Sequence, residues 1–149
     1  MPNDVGHEIA DALAVVLRRS SRTHLYELLT SGLDGALDAV TYPVLSALAR
    51  TGPCSAARLA EEIGLDRSGV TRRASRLEEG GLLRRVPDPD DGRATLLTLT
   101  DAGERVIRTT RERLAAHIEA SLADWPADEA RAFARGFHRF VTGSLLRPE

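Results

Sequence analysis

LAEEIGLDRSGVTRRASRLEEGGLLRRVPDPDDGRATLLTL, residues 59–99, is the stretch that decides the fold. Leu59 to Ile63 closes a short apolar helix, and Gly64 stands where a left-handed residue ends it. Asp66 is placed to cap a second helix, Arg67 to Glu79. Val70, Ala74 and Leu77 recur at i, i+4 and i+7 and form its core face. Ser68, Thr71, Arg72 and Ser75 cover a different face, flanked by Arg73 and Arg76. Gly80-Gly81 terminates the helix. Leu82–Val86 and Thr95–Leu99 then alternate as half-buried strands do. The Pro/Asp/Gly-rich loop between them is too long for a tight hairpin. Helix, glycine-containing turn, helix and β-wing together make a DNA-reading unit.

Working outward from this unit, the flanks read as helices. Residues 6–30 carry Ile9, Leu13, Val16, Leu17, Ser20, His24 and Leu28 at helical spacing, so one long amphipathic helix is expected there. A second helix covers 34–50, with Leu37, Val40, Tyr42, Val44, Leu45 and Leu48 on its apolar face. Pro43 is harmless if Asp38 or Thr41 is the N-cap, and a kink if the helix starts at Asp34. Thr51-Gly52-Pro53 breaks this helix. Cys54 or Ser55 caps the next one, in which Ala57, Leu59, Ala60 and Ile63 face inward. After the wing, Asp101 with Glu104 has the form of a capping box and opens a helix to about Ala123. A last helix, about 127–145, carries Phe133, Phe137, Phe140 and Val141 on one stripe.

The chain has 149 residues, 42% apolar and 28% charged, as an ordinary globular domain has. A single domain over 1–149 is expected. No run reaches the ~18 apolar residues of a membrane span, and no signal-peptide pattern opens the chain; a cytoplasmic protein is expected. One cysteine excludes an intrachain disulfide framework and a multi-cysteine zinc site. Net charge is −2, which at first argues against a nucleic-acid partner. Location matters more than the total. All 20 basic Lys+Arg side chains are arginine, the residue suited to bidentate contacts with phosphate and guanine. Between Asp66 and Leu77 there are Arg67, Arg72, Arg73 and Arg76 against Asp66 alone.

In order and spacing, LDRSGVTR, RLEEGGLLRR, DPDDGRA and LTLTDAG resemble the reading helix, wing and wing-to-helix junction of the multiple-antibiotic-resistance regulator (MarR) family of bacterial winged-helix transcription factors. The resemblance implies a mainly α fold with a small β-wing: a winged helix-turn-helix over 34–100, with dimerisation helices at 6–30 and 101–145. It implies a homodimer on double-stranded DNA that binds a pseudo-palindromic operator, with half-sites about 10 bp apart. Repression relieved by a small aromatic effector is the behaviour it suggests. By position, Ser68, Thr71, Arg72 and Arg76 would meet the major groove or its phosphates, with Ser55 and Arg73 completing the set. Arg93 would enter the minor groove, braced by Asp91. Gly92 departs from the family, which often has a second basic residue there. His24, Tyr26 and Tyr42 lie near where relatives bind aromatic ligands.

Each of these has a plainer reading. The α-helical arginines could form a solvated face, Arg93 could pair with Asp90 or Asp91, and His24 could be a half-buried packing residue. Cys54 at a helix start would suit an oxidant sensor, which gives a redox-responsive regulator as one alternative; a small packing residue is the other. A winged helix that binds protein rather than DNA is a further alternative. His7, His24, His117 and His138 show no paired metal-ligand spacing. No nucleophile elbow, phosphate loop or dinucleotide motif is present, so neither an enzyme nor a cofactor is expected.

Overall fold

The computed structural model describes residues 2–33 and 35–147. Seven α-helices and two strands follow one another along these residues: α1 (Pro2–Leu17), α2 (Arg19–Thr30), α3 (Tyr42–Thr51), α4 (Ala56–Ile63), α5 (Arg67–Glu79), β1 (Leu83–Pro87), β2 (Thr95–Leu99), α6 (Asp101–Ser121) and α7 (Ala127–Thr142). They fall into two compact units, residues 1–112 and 113–149.

In the first unit, the helix expected over 6–30 is two helices. Arg18 is extended (φ −61°, ψ 136°) between α1 and α2. No proline or glycine stands at this break. The residues after it, Ser20, Ser21 and Thr23, are weak helix formers whose hydroxyls compete for backbone bonds. The buried face of α2 is Leu29 and Thr30, with Leu25 and Tyr26 half-buried. The expected stripe through His24 and Leu28 is therefore one residue out of register, and His24 is exposed.

Helix α3 begins at Tyr42 with Pro43 in its first turn, where the missing N–H has no intrahelical partner to lose. Asp34 lies outside the described residues; residues 35–40 form no helix. Asp38 Oδ1 accepts the backbone N–H of Val40 at 2.9 Å and of Thr41 at 3.0 Å. The buried Thr41 hydroxyl donates to the Ala36 carbonyl at 2.7 Å. These bonds hold the turn into α3.

Ser55, not Cys54, caps α4: its Oγ accepts from the Arg58 N–H. Cys54 instead extends the sheet, exchanging two backbone bonds with Leu97 at 3.2 and 2.8 Å. Ala57 is exposed. Gly64 (φ +69°) ends α4 in the left-handed region. The antiparallel wing pairs Leu83 with Leu99 and Arg85 with Leu97. Its core side packs into the winged domain: Val44, Leu45, Leu48, Leu59, Val70, Leu77, Leu82 and Leu83 are all at most 2% exposed. Each such side chain contributes roughly 1.5–3 kcal/mol.

The start of α6 is set by Thr100 rather than by an Asp101 capping box. Thr100 Oγ1 accepts the Gly103 N–H at 3.1 Å and donates to the Gly81 carbonyl at 2.6 Å. Gly103 is buried because its Cα lies against the Leu82 backbone; a Cβ there would sit 2.0 Å from the Leu82 carbonyl oxygen. The DAG of the junction motif is thus a close-packing requirement.

In the second unit, Trp125, Phe133 and Phe137 form a run of ring contacts with centroids 5.5 and 5.6 Å apart. No residue of α7 is buried. Phe133 and Phe137 remain about half exposed, so the stripe is not core within the chain. On α1, Val5, Ile9 and Val16 are likewise exposed. No described helix is long and apolar enough to cross a membrane.

Candidate nucleic-acid interface and adjoining cleft

Helix α5 is held at its first turn by Asp66, whose Oδ1 accepts the Gly69 N–H at 3.2 Å while Oδ2 accepts the Ser68 hydroxyl at 2.5 Å. The Ser68 bond, then the Gly69 N–H, lowers the Asp66 carboxyl below its ordinary value. Ser68, Thr71 and Arg72 are exposed along one side of the helix and Ser75 is half-exposed. The hydroxyls of Thr71 and Ser75 turn back onto the Arg67 and Thr71 carbonyls. Of this face, Arg72 is the residue whose charge is free of any ion pair among the described residues.

The other two arginines of α5 behave differently. Arg76 donates to Asp38 Oδ2 at 2.7 Å, tying the helix to the turn before α3. Partial burial works to raise the Asp38 carboxyl, but the bonds from Arg76, Thr41 and Val40 together outweigh it and hold the group below its ordinary value. Arg73 is half-buried and points off the exposed face; its Nε is buried without a hydrogen-bond partner among the described residues. Arg85 of the wing reaches back to Glu78 at 2.5 Å and to Ser75 at 3.2 Å.

At the wing tip Arg93 is exposed. Asp91 braces its backbone, accepting the Arg93 N–H at 3.1 Å, and the Ala94 N–H bonds to the Asp91 carbonyl at 2.9 Å. The arginine side chain makes no ion pair with Asp90 or Asp91. Gly92 has open space around it.

Beside α5 lies an open cleft of about 690 Å³ between α2, the turn into α3, and the end of α4. Tyr26 and Tyr42 meet at one wall, ring centroids 4.9 Å apart and ring planes tilted by 48°. Among the described residues, Arg19, Arg22, Arg50 and Arg73 line it against one carboxylate, Glu62, which Arg50 approaches at 4.0 Å. His24 is not among its lining residues. Tyr26 and Tyr42, expected near a ligand, line the cleft, as does Arg73, expected at the DNA; Arg19, Arg22 and Arg50 carry no expectation from sequence, and Asp38, a cap candidate there, is in addition the partner of Arg76. Asp38 is joined to Arg76 across 38 positions, which no local pattern reports.

No group of histidine, cysteine and carboxylate side chains that could hold a metal occurs among the described residues. Cys54 is 5% exposed, with Sγ 3.4 Å from the Thr51 hydroxyl.

A family model described as "MarR family" matches residues 31–94. Over 105 residues the chain is 32% identical to the uncharacterized HTH-type transcriptional regulator YxaD of Bacillus subtilis, spanning 70% of this chain and 73% of that protein. The chain belongs to the MarR family. Among solved structures, the PcaV transcriptional regulator of Streptomyces coelicolor, in complex with its natural ligand, is 32% identical with a TM-score of 0.55, covering 85% of this chain and 94% of that one. Apo MarR from E. coli superposes with a TM-score of 0.74 at 20% identity, covering 89% and 95% of the two chains; this second likeness is one of fold. As a MarR-family transcriptional regulator, the chain has a DNA-binding winged helix-turn-helix fold.

Proposed function

We propose that this MarR-family protein is a cytoplasmic, homodimeric repressor of a pseudo-palindromic operator, released by a small aromatic effector. The observation that carries the DNA part is that Arg72 on α5 and Arg93 on the wing tip are both exposed and make no ion pair among the described residues. In this reading Arg72, with Ser68 and Thr71, meets the major groove. Arg93 enters a narrow minor groove, whose negative potential attracts arginine. Ser55 at the start of α4 and Arg76 at the end of α5 face phosphates, and Asp91 fixes the backbone that carries Arg93.

Apolar side chains left exposed on α1 and α7, Ile9, Val16, Phe133 and Phe137 among them, support pairing with a second copy through 6–30 and 101–145. Two reading helices would then meet half-sites about one helical turn apart. The tyrosine-walled cleft supports the effector. Its rings suit an aromatic ligand and its arginines an acidic one, as a ligand-bound relative of 32% identity makes reasonable.

Size-exclusion chromatography with light scattering, followed by gel shifts on an operator selected from a random library, tests the reading. A dimer whose sequence-specific affinity falls with salt is expected. A monomer, or binding indifferent to sequence and salt, refutes it and returns the protein-binding alternative.

A further inference from the structure

Three hydroxyls of α5, those of Ser68, Thr71 and Ser75, have their protons engaged within the chain. The Ser68 hydroxyl donates to Asp66 Oδ2 at 2.5 Å. That of Thr71 donates to the Arg67 carbonyl at 2.9 Å, and that of Ser75 to the Thr71 carbonyl at 3.0 Å. The direction of each bond follows from the partner, because an ionised carboxylate and a carbonyl oxygen accept and cannot donate. Each hydroxyl is left with lone pairs to offer. Ser75 is half-buried and already accepts from Arg85 Nη2 at 3.2 Å, whereas Ser68 and Thr71 are exposed. Of these two, Ser68 is the more firmly fixed. A hydroxyl on a carboxylate makes a short, charge-assisted bond, roughly twice as strong as one to a neutral oxygen. Asp66 is itself held by its other oxygen, which accepts the Gly69 N–H at 3.2 Å. Ser68 is therefore presented as an acceptor, and Arg72, one turn on, as a donor only.

We propose that Ser68, its proton held by Asp66, selects a base carrying an exocyclic amino group in the operator half-site. The inference rests on α5 lying in the major groove. There adenine N6 and cytosine N4 are donors, whereas guanine O6 and thymine O4 are acceptors. A fixed acceptor bonds to the first pair and meets the second lone pair to lone pair. To suit guanine or thymine, Ser68 must withdraw its proton from Asp66 and leave that carboxylate bond unmade. One hydrogen bond of ordinary net strength then gives a preference of about two- to tenfold on the strand that Ser68 faces. Arg72 takes guanine through O6 and N7 in the same groove. Four residues of helix rise about 6 Å and a base step about 3.4 Å, so the amino-bearing base lies within about two base pairs of that guanine. Asp66 is the positioning residue, acting on the base through Ser68.

Operator selection from a random library with the full chain, followed by competition between single-base variants, tests this. Wild type is expected to favour A or C over G or T about two- to tenfold at one position, within about two base pairs of a guanine whose preference Arg72→Ala abolishes. Ser68→Ala should lose the A/C preference and keep the guanine one. Asp66→Asn should invert it. Asparagine caps a helix as well as aspartate does; with its carbonyl oxygen on the Gly69 N–H, its amide donates to Ser68 Oγ and turns the Ser68 proton outward. G or T should then be favoured at that position by a similar factor. Replacing the favoured adenine by purine, or cytosine by 2-pyrimidinone, removes only the amino group. It should cost wild type about two- to tenfold and Ser68→Ala nothing, and the wild-type measurement needs no variant to fold. An A/C preference that survives in Ser68→Ala, a preference unmoved in folded Asp66→Asn, or a wild type indifferent to loss of the amino group overturns the role of Ser68. A chain with no base preference at any position overturns the major-groove reading itself, and the role of Ser68 with it.

Discussion

Replacing Gly103 by alanine sets two effects of opposite sign against each other. In an unconstrained helix interior the change stabilises by roughly 0.5–1 kcal/mol, since glycine loses the most backbone entropy on folding. At Gly103 the new Cβ would stand 2.0 Å from the Leu82 carbonyl oxygen, whereas ordinary contact begins at 3.4 Å. The first turn of α6 must retreat by more than 1 Å. That retreat strains the Thr100 N–H bond to the Leu82 carbonyl (3.2 Å) and the Thr100 hydroxyl bond to the Gly81 carbonyl (2.6 Å). Two such bonds are worth about 1–3 kcal/mol together. Forcing a backbone off a packed neighbour adds about 1–3 kcal/mol, here around Leu82 and Ile107, 2% and 6% exposed. The balance is a loss of about 3 kcal/mol, or about 6–12 °C in Tm for a chain of this size. Urea unfolding followed by circular dichroism measures it. Gly6 in α1 has nothing within 4 Å, so Gly6→Ala is the control and should be neutral or stabilising. A Gly103→Ala protein as stable as wild type would refute the claim that the junction is built on this backbone contact.

Arg72→Ala and Arg93→Ala should each weaken operator binding by about 1–3 kcal/mol, roughly 5- to 150-fold, with unchanged thermal melts; fluorescence anisotropy showing intact affinity for both removes the assigned interface. A phosphate role for either arginine would also lower the salt slope by about one. Because the Asp38 pKa is lowered in the fold, its contribution is present above the unfolded value of about 3.9 and is lost as pH falls through the folded value. Asp38→Asn should therefore flatten the acid limb of stability below about pH 4, and at pH 7 remove no more than about 1 kcal/mol, since both partners of the pair are nearly half exposed; an unchanged acid limb contradicts the assignment. Ser55→Ala should destabilise by about 1 kcal/mol through loss of the α4 cap, and denaturant midpoints equal to wild type would show the cap to be idle.

Where the chain's own chemistry is local, the sequence could be read directly. Asp66 before Arg67, Gly64 after Ile63, and Val70, Ala74 and Leu77 at helical spacing each describe a contact within a turn or two, and α4, α5 and β2 lie where they were expected. What escaped was set by contacts across the chain. The hydrophobic pattern over 6–30 is continuous, so it could not report the bend at Arg18. Nor could it show that Leu25, Tyr26, Leu29 and Thr30, rather than His24 and Leu28, turn inward. Cys54 stands at a helix start by sequence, but its backbone is taken by Leu97, 43 residues on. Arg72, Arg73 and Arg76 are one cluster of charge in the sequence; the fold sends them to solvent, to a cleft and to a carboxylate.

That division of the arginines has a consequence for how α5 is held. Its inner face, Val70, Ala74 and Leu77, is buried against the winged domain, which fixes depth better than rotation about the helix axis, because apolar contacts are not directional. Rotation is set by polar contacts at the rims: Asp66 at the first turn, Asp38 on Arg76, and Arg85 on Glu78 and Ser75. The Asp38 and Glu78 pairs are partly exposed ion pairs of the kind worth under about 1 kcal/mol each. A helix deep in its core yet weakly clamped in rotation can be turned by a single new bond of comparable strength. Arg73 is the α5 side chain that lines the cleft.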